Sequence, residues 1–356
     1  MSIMSHGRGR EQEKPDGGAM LERDLPPSRE LPKQRPMAVY TEVSDEELLS
    51  FVDAYDIGEV LACKGIAEGV ENSNYQLTTD DGSFILTLYE KRVRPEDLPF
   101  FLGLMDHLAA RGLPCPIPVA ARNGETLHHL CGRPAAIVTF LPGMWPKRPT
   151  AEHCTELGAT LAAFHSAGAD YPAQRPNDLS VAAWRPLLER SEPRAAEVKQ
   201  GLAESLNAEL YVLEADWPSA LPSGVIHADL FPDNVFFRHG QVSGVIDFYF
   251  ACTDFFAYDI AICLNAWCFE PDLSFNVTKA RRLLQGYQRV RKLGSDELDA
   301  LPLLARGAAM RFLVTRLYDW LYTPSDALVT PKDPLEYEAK LRFHAGVKTI
   351  GAYGLE

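Results

Sequence analysis

The feature that most constrains the fold of this sequence is a group of polar residues set between apolar segments. The stretches "GVIHADLFPDNVFF" and "GVIDFYF" contribute His227, Asp229, Asn234 and Asp247. The apolar residues around them predict short buried strands at about 224–227 and 242–247. A strand–turn–strand arrangement of this kind would place Asn234 and Asp247 on adjacent strand ends.

Phosphoryl transfer is the chemistry that this set of side chains can perform. It needs a carboxylate beside the acceptor hydroxyl, oxygen ligands for Mg²⁺, a cradle for the triphosphate and exclusion of water. The H-x-D-x-x-x-x-N spacing and the later Asp247 have the form of a kinase catalytic loop and its metal-binding aspartate. The alternative is a polar loop without chemistry. The four residues together with their flanking strands favour the catalytic interpretation, in which His227 braces the loop.

The rest of the sequence predicts an α+β fold with two lobes. Residues 37–140 carry a capping box at Ser44 and Glu47, several strands and a helix from about Pro95 to Arg111. Residues 141–356 are mostly helical, with apolar helices predicted in "HCTELGATLAAFHSAG", "ACTDFFAYDIAICLNAW" and "LPLLARGAAMRFLVTRLYDWLY". We therefore expect a small β-rich lobe that binds nucleotide, followed by a larger lobe with the catalytic and substrate-binding residues.

The first 36 residues differ in composition from the remainder of the chain. They are rich in proline, glycine and charge and hold only isolated apolar residues. Such a segment buries too little surface to offset the entropy of ordering, so residues 1–36 are expected to be disordered. Met37 opens a domain-like stretch, and translation starting there is the alternative explanation.

Composition restricts the partners and the compartment. The net charge of −14 argues against a nucleic-acid partner, because binding a polyanion needs a basic face, but it leaves ATP as a ligand. The seven cysteines are scattered and form no C-x-x-C pair, which indicates a reducing compartment without disulfides or a zinc site. No apolar run approaches the ~18 residues of a membrane helix. A cytoplasmic protein without a membrane partner is expected, and the oligomeric state is left open.

The motif "VIHADLFPDNVFF" with "VIDFYFA" resembles the aminoglycoside-phosphotransferase-type kinases, which are small-molecule relatives of protein kinases. The resemblance extends from about Met37 to the C-terminus. It implies a protein-kinase-like fold with ATP and Mg²⁺ as cofactors, Asp229 as the catalytic base, and Asn234 and Asp247 as metal ligands. It also implies that Asp259, in "AYDIA", holds the catalytic loop. The alternative for Asp259 is a first-turn carboxylate favoured by the helix dipole.

The predicted nucleotide lobe departs from the kinase pattern. The stretch "GIAEGVENSNYQL" has glycines without G-x-G-x-x-G, and Thr87 stands where the phosphate-binding lysine is expected. Lys91 and Arg92, just beyond this strand, are candidates for the missing positive charge, and a solvated position on the surface is the alternative for both. The residues predicted to bind nucleotide are Gly69, Asn72, Asn74 and Thr87. A nucleotide-binding pseudokinase remains the alternative, and the intact acids and amide of the catalytic motif argue against it.

The acceptor is indicated by a closer resemblance, to the bacterial homoserine kinases of this superfamily. The stretches "KGIAEGVENSNY", "LPFFLGLMDHLAARGLPCPIP" and "AICLNAWCFEPDLSFN" carry it across both lobes. It implies transfer of the γ-phosphoryl group of ATP to the hydroxyl of L-homoserine, in threonine synthesis. A kinase for another small hydroxyl compound, such as choline, methylthioribose or an aminoglycoside, is the alternative.

Recognition of an amino acid requires a cation for its carboxylate and a small dry pocket. The residues predicted to contact the substrate are Arg316, Arg311, Tyr249, Asn265 and Trp267. Arg316 is the preferred carboxylate ligand, since an arginine in an apolar run needs a carboxylate partner. An internal salt bridge from Arg316 to Asp319 is the alternative, and a place in the core is the alternative for Trp267.

Overall fold

The structure of the chain is a computed structural model that describes residues 41–66, 72–90, 93–324 and 330–355. These residues belong to one compact unit, Met37–Glu356. The predictions for residues 1–36 and for Gly69, Lys91 and Arg92 lie outside the described residues. The predicted lobe boundary at residue 140 stays a prediction.

An antiparallel sheet forms the N-terminal part of the described chain. Its strands are β1 Val60–Gly65, β2 Asn72–Thr79, β3 Ser83–Tyr89, β4 His128–Leu130 and β5 Arg133–Thr139, in the spatial order β1-β2-β3-β5-β4. Helix α1, Asp45–Val52, begins with the predicted capping box at Ser44. Side chains alternate between the faces of β3: Leu86 and Leu88 join the core that contains α1. Thr87 therefore points to the opposite face.

Helices dominate the chain after the sheet. They are α2 Leu98–Ala110, α3 Ala151–Ala167, α4 Val181–Ser191, α5 Leu202–Asp216, α6 Phe256–Trp267, α7 Val277–Val290, α8 Ser295–Tyr322 and α9 Leu335–Gly346. The apolar face of α2 shares one core with α3, α6 and α8. Among the described residues, none of the helices combines the length and apolar composition that crossing a bilayer requires. The α+β fold, β-rich first and helical afterwards, is confirmed.

Two small strand pairs enclose the polar motif. Strand β6, Ser223–Ile226, pairs with β9, Cys252–Phe255, and β7, Val235–Arg238, pairs with β8, Gln241–Val245. The strands expected near 224–227 and 242–247 are therefore present. The prediction that "ACTDFFAYDIAICLNAW" is wholly helical was wrong, because its first residues form β9 and only the remainder forms α6. A short apolar run has no periodicity that separates a buried strand from a buried helix.

Helices α3 and α7 touch at a pair of glycines. A methyl group on Gly158 of α3 would collide with the main-chain carbonyl of Leu283, and one on Gly286 of α7 would collide with the carbonyl of Thr155. Each glycine thus lets the backbone of the other helix approach closely. Close packing of α3 and α7 requires both residues to lack a side chain.

Replacement of Gly158 by alanine is expected to destabilise the protein. An alanine in a helix interior ordinarily adds about 1 kcal/mol of stability over glycine. Here the collision with backbone should reverse that sign and lower the free energy of unfolding by about 1–3 kcal/mol, measured by urea denaturation. Gly346→Ala, at an exposed helix end where a methyl group meets no atom within 4 Å, is the matched control and should not destabilise. Equal effects of the two substitutions would refute the close packing.

Buried histidines make stability depend on pH. His165, His227 and His344 are at most 1% exposed. Burial lowers the pKa of each imidazole, that of His344 to about 3, so all three stay neutral in the fold. In the unfolded chain a histidine takes up its proton near pH 6.5. The unfolded state therefore binds more protons below this pH, and the stability contributed by a neutral buried histidine is lost as the pH falls.

We expect the free energy of unfolding to fall between pH 7.5 and 5.5, with His344 alone contributing about 1 kcal/mol to the change. His344→Gln should lower the overall stability and also reduce the pH dependence, because one of these protons is no longer taken up on unfolding. The exposed His129 supplies the control, and His129→Gln should leave the pH dependence unchanged. An unaltered slope in His344→Gln would contradict the burial argument.

Candidate active site

The polar motif forms a loop with an unusual backbone between β6 and β7. Ala228 has φ of 62° and Asp247, which follows β8, has φ of 65°. Residues other than glycine rarely adopt this left-handed region, because the Cβ atom crowds the carbonyl oxygen. Surrounding contacts must therefore hold both residues in place.

Asp259, in the first turn of α6, binds the backbone of this loop. Its Oδ2 accepts a hydrogen bond from the N–H of His227 at 2.8 Å, and its Oδ1 accepts one from the N–H of Ala228 at 3.0 Å. His165 Nε2 lies 3.1 Å from Oδ2, and the Nδ1 of that ring lies 2.7 Å from the hydroxyl of Tyr287. All of these contacts are buried. One carboxylate thus connects two consecutive loop amides to the helical core.

The charge of Asp259 is preserved in spite of complete burial. Burial by itself would raise its pKa, but the hydrogen bond from His165 and that from the backbone amide of His227 outweigh this effect and hold the pKa below its usual range. Hydrogen bonds to an ionised acceptor are stronger than those between neutral groups. Asp259 therefore holds the loop as an anion.

His227 connects the two halves of the motif. Its Nε2 lies 3.0 Å from the carbonyl oxygen of Ile246, the residue before Asp247, and its Nδ1 accepts the N–H of Asp229 at 3.3 Å. Burial lowers its pKa, so the ring is neutral and donates through Nε2. The side chain of His227 therefore fixes the spacing of the loop and the strand end.

Asn234 and Asp247 stand at neighbouring strand ends. The N–H of Ile246 donates to the carbonyl of Asn234 at 3.0 Å, where the β7–β8 pair begins. The side-chain amide of Asn234 donates to the carbonyl of Asp229 at 2.8 Å, which turns its nitrogen inward and leaves its oxygen as an acceptor. Oxygen donors of this kind suit a hard divalent cation.

Within the described part of the chain, no group of three or more His, Cys, Asp or Glu could hold a metal ion. Magnesium in kinases typically takes few protein ligands and completes its shell with water and phosphate oxygens. One amide oxygen and one carboxylate on adjacent strand ends therefore fit Mg²⁺ in complex with a nucleotide, and they do not form a closed metal cage.

A cavity of about 480 Å³ opens beside Asp229. Its walls come from the segment before α2, the segment before α4, the catalytic loop and one face of α8. Among the described residues, its basic members are Arg94, Arg175 and Arg311, and its acidic members are Asp97, Asp178, Asp229 and Asp319. Aromatic side chains including Phe101, Tyr249, Phe250 and Phe312 complete it. The size and the mixture of charges suit a small zwitterion.

Ion pairs join the two walls of this cavity. Arg175 donates through Nε to Asp97 at 2.9 Å and through Nη2 to Asp178 at 2.7 Å. Arg94 contacts the same two carboxylates at 3.0 and 3.1 Å. The start of α2 is therefore tied to the segment before α4 at the rim of the cavity.

Arg311 differs from these rim arginines. It is 2% exposed, and its Nη1 donates to the carbonyl of Ala228 at 2.5 Å. The guanidinium lies 4.5 Å from the ring centre of Phe312 and 5.7 Å from that of Phe250. No carboxylate of the described residues forms an ion pair with it. Arg311 therefore lines the cavity and also contacts the backbone of the loop between β6 and β7.

The residues predicted to bind nucleotide lie on the sheet. Asn74 and Thr87 are directly paired across β2 and β3, and Thr87 Oγ1 donates to Asn74 Oδ1 at 2.8 Å. Asn72 Oδ1 accepts the N–H of Glu90 at 3.3 Å. A neutral hydrogen-bonded pair thus occupies the position where a lysine was expected. The role of these residues in nucleotide binding stays a prediction.

Three residues predicted to contact the substrate lie elsewhere. Arg316 pairs with Glu336 at 2.7 Å and is not part of the cavity wall; the helical turn of α8 directs Arg311, not Arg316, toward the loop. Asn265 is buried and donates to main-chain carbonyls of α6 and α8. Trp267 is 1% exposed and donates to the carbonyl of Leu230. Helix α6 is buried on all sides, so its polar groups serve the core. Tyr249 does line the cavity.

Several cavity residues have no signal in the sequence. Arg94, Arg175 and Asp178 lie in segments without regular periodicity, far from the motif along the chain. Only the fold brings them near Asp229. The phase of α8, which separates Arg311 from Arg316, could have been read from its helical spacing.

Fold and site together define a phosphotransferase. Residues 62–293 match the phosphotransferase enzyme family, APH, and the chain belongs to this family. Its curated relatives include homoserine kinases: that of Paramagnetospirillum magneticum is 67% identical over 90% of this chain and 100% of its own. The homoserine kinase of Rhodospirillum rubrum is 65% identical over 90% of this chain and 99% of its own. The resemblance noted in the sequence is confirmed.

Solved structures support the same fold. An amicoumacin kinase in complex with AMP-PNP and Ca²⁺ aligns with a TM-score of 0.64 at 15% identity, over 86% of this chain and 95% of its own. An aminopropanol kinase aligns with a TM-score of 0.59 at 18% identity, over 88% of this chain and 99% of its own. Identities this low concern the fold alone.

Asp259→Asn is expected to weaken both the fold and the loop. Asparagine offers one acceptor oxygen in place of two, so an amide N–H of the loop faces an NH₂ group. The free energy of unfolding should fall by at least about 2 kcal/mol, measured by denaturation in urea. Asp299→Asn, at an exposed aspartate of α8, is the control and should change it by less than about 0.5 kcal/mol. Equal stabilities of the two variants would show that Asp259 is a surface-like helix carboxylate.

Proposed function

We propose that this chain is a homoserine kinase, which transfers the γ-phosphoryl group of ATP to the side-chain hydroxyl of L-homoserine. The products are ADP and O-phospho-L-homoserine, an intermediate of threonine synthesis. The observation that carries the proposal is the 67% identity to a curated homoserine kinase over 90% of this chain. The activity is assigned to the cytoplasm, with small molecules as its partners and neither nucleic acid nor a membrane.

In this proposal Asp229 is the catalytic base. It projects into the cavity beside the loop that Asp259 holds, and it would accept the hydroxyl proton of the substrate as the phosphoryl group is transferred. Asn234 and Asp247 would hold Mg²⁺, which when bound supplies positive charge to the phosphates of ATP. His227 and Asp259 keep these groups in register.

The cavity supports an amino acid as the acceptor. A carboxylate requires a cation, and an ammonium group requires an acceptor of hydrogen bonds. Arg94 and Arg175 on one wall, and Asp178 and Asp319 among the acids, provide both kinds of group within about 480 Å³. Choline and aminoglycosides are cationic and lack a carboxylate, so they would offer no anion to the rim arginines. L-Homoserine uses both charges.

Thr87 favours a second candidate function, that of a nucleotide-binding pseudokinase. The Thr87–Asn74 pair carries no charge toward the phosphates. Against this candidate, the chain retains Asp229 in the loop between β6 and β7, and Asn234 and Asp247 beside the ends of β7 and β8. Catalysis should therefore proceed, with nucleotide binding that relies on Gly69, Asn72, Asn74 and Thr87.

Asp229→Asn tests the base. It should lower kcat by about 10²–10⁴-fold, because the amide does not accept the proton, while the Kd for ATP stays nearly unchanged. Turnover is measured as ADP release, and nucleotide binding by calorimetry. Asp233→Asn, at an exposed position of the same loop, should keep wild-type kcat. Undiminished activity of Asp229→Asn would remove Asp229 from the role of base.

Acceptor selectivity tests the substrate. ADP release with Mg²⁺ and ATP should be fastest with L-homoserine and slower by at least about tenfold in kcat/KM with 3-aminopropan-1-ol, which lacks only the carboxylate. Choline, methylthioribose and kanamycin should be poor acceptors. A preference for any of these compounds would refute L-homoserine as the substrate and retain the kinase activity. Nucleotide binding without turnover on any acceptor would establish the pseudokinase.

A further inference from the structure

The residue that precedes the proposed base, Ala228, is held on both sides by buried charged side chains. The N–H of Ala228 donates to Asp259 Oδ1 at 3.0 Å. The carbonyl of Ala228 accepts from Arg311 Nη1 at 2.5 Å. Ala228 and both of these charged residues are at most 2% exposed. Asp229, the next residue, projects into the cavity.

Ala228 needs such restraint. Its φ of 62° lies in the left-handed region, where its Cβ atom is crowded by backbone. Without contacts that favour this conformation, the residue would return to a right-handed or extended one and would turn Asp229 with it. Hydrogen bonds to charged partners are about twice as strong as neutral ones. The carboxylate and the guanidinium therefore act on the same residue in the same sense.

The surroundings of Arg311 suit this task better than substrate binding. Its Nε is buried, out of reach of solvent and without a hydrogen-bond partner. Phe312 and Phe250 pack against the guanidinium. The Ala228 carbonyl is thus its main polar contact among the described residues. A buried arginine that donates to one backbone carbonyl restrains that carbonyl in position.

We infer that Arg311 is a positioning residue: with Asp259 it holds Ala228 in the left-handed conformation and so orients Asp229. This revises the expectation from the sequence that Arg311 binds the substrate. The inference rests on the proposed function where it assigns Asp229 as the base. The restraint of Ala228 itself does not depend on which substrate is phosphorylated.

Steady-state kinetics of Arg311→Met distinguish positioning from binding. Methionine keeps much of the apolar bulk and removes the donor. The variant should lose about 10²-fold in kcat, because a misplaced catalytic group is costly, with KM for L-homoserine nearly unchanged. Arg306→Met, on the same helix but paired with Glu209 and outside the cavity wall, is the matched control and should keep kcat and KM. A raised KM with kcat retained would overturn the inference and make Arg311 a substrate ligand.

Glycine at position 228 provides the rescue. Glycine adopts positive φ without crowding, so the loop should need Arg311 less. The factor by which Ala228→Gly raises kcat should be roughly ten times larger in the Arg311→Met background than in the wild-type background. The same factor in both backgrounds would show that Arg311 does not act through the conformation of Ala228, and would overturn the inference.

Melting temperatures give a readout that is independent of activity. Arg311→Met should melt below wild type, and Ala228→Gly should recover part of the loss in that background alone. If the wild-type protein fails to phosphorylate L-homoserine, the proposed function is refuted, but the melting temperatures still test whether Arg311 and Ala228 are coupled. Should Arg311→Met not fold, Arg311→Lys serves instead: its ammonium can still donate to the carbonyl, so it should retain an intermediate kcat that Ala228→Gly raises. Additive effects on both quantities would refute the restraint.

Discussion

The carboxylate of Asp259 accepts two consecutive backbone amides, and most of the site depends on that contact. A buried anion is costly unless hydrogen bonds surround it, and here the amides of His227 and Ala228 and the ring of His165 supply them. The stabilisation is therefore mutual: the loop makes the charge tolerable and the charge fixes the loop. Because α6 is buried on every side, Asp259 connects the loop to a rigid part of the core.

Further hydrogen bonds connect this contact to the remaining functional groups. The ring of His227 binds the carbonyl of the residue before Asp247, and the side-chain amide of Asn234 donates to the carbonyl of Asp229. The backbone beside Asp229 and Asp247 and the side chain of Asn234 are thus fixed by hydrogen bonds of the loop and strands before any ligand arrives. A centre of this kind needs little reorganisation when charge develops during the reaction. The rim ion pairs of Arg94 and Arg175 add a connection between the walls of the cavity.

The sequence predicted the fold and the catalytic motif because both depend on local patterns. The spacing of Asp229, Asn234 and Asp247, and the apolar strands around them, are visible along the chain. Contacts between distant segments are not: Arg175 meets Asp97 only because α2 packs beside the segment before α4. Asn265 and Trp267 lie in the core and outside the cavity wall, and in a sequence a polar or aromatic residue on a buried helix looks the same as one in a pocket. A sequence gives no partner for Arg311 or Arg316, and only the helical spacing of α8 indicates that the two lie on different faces.

Hydrogen exchange of the catalytic loop in the ligand-free protein tests the central claim most directly, which is that the loop is organised before substrate binds. The amides of His227 and Ala228 both donate to Asp259 in the core. We therefore expect peptides that cover residues 224–234 to exchange as slowly as those of α6, with little further change when L-homoserine and a nucleotide analogue are added. Fast exchange of the loop in the free protein, slowed only by ligands, would contradict the account and show that the substrates organise the site.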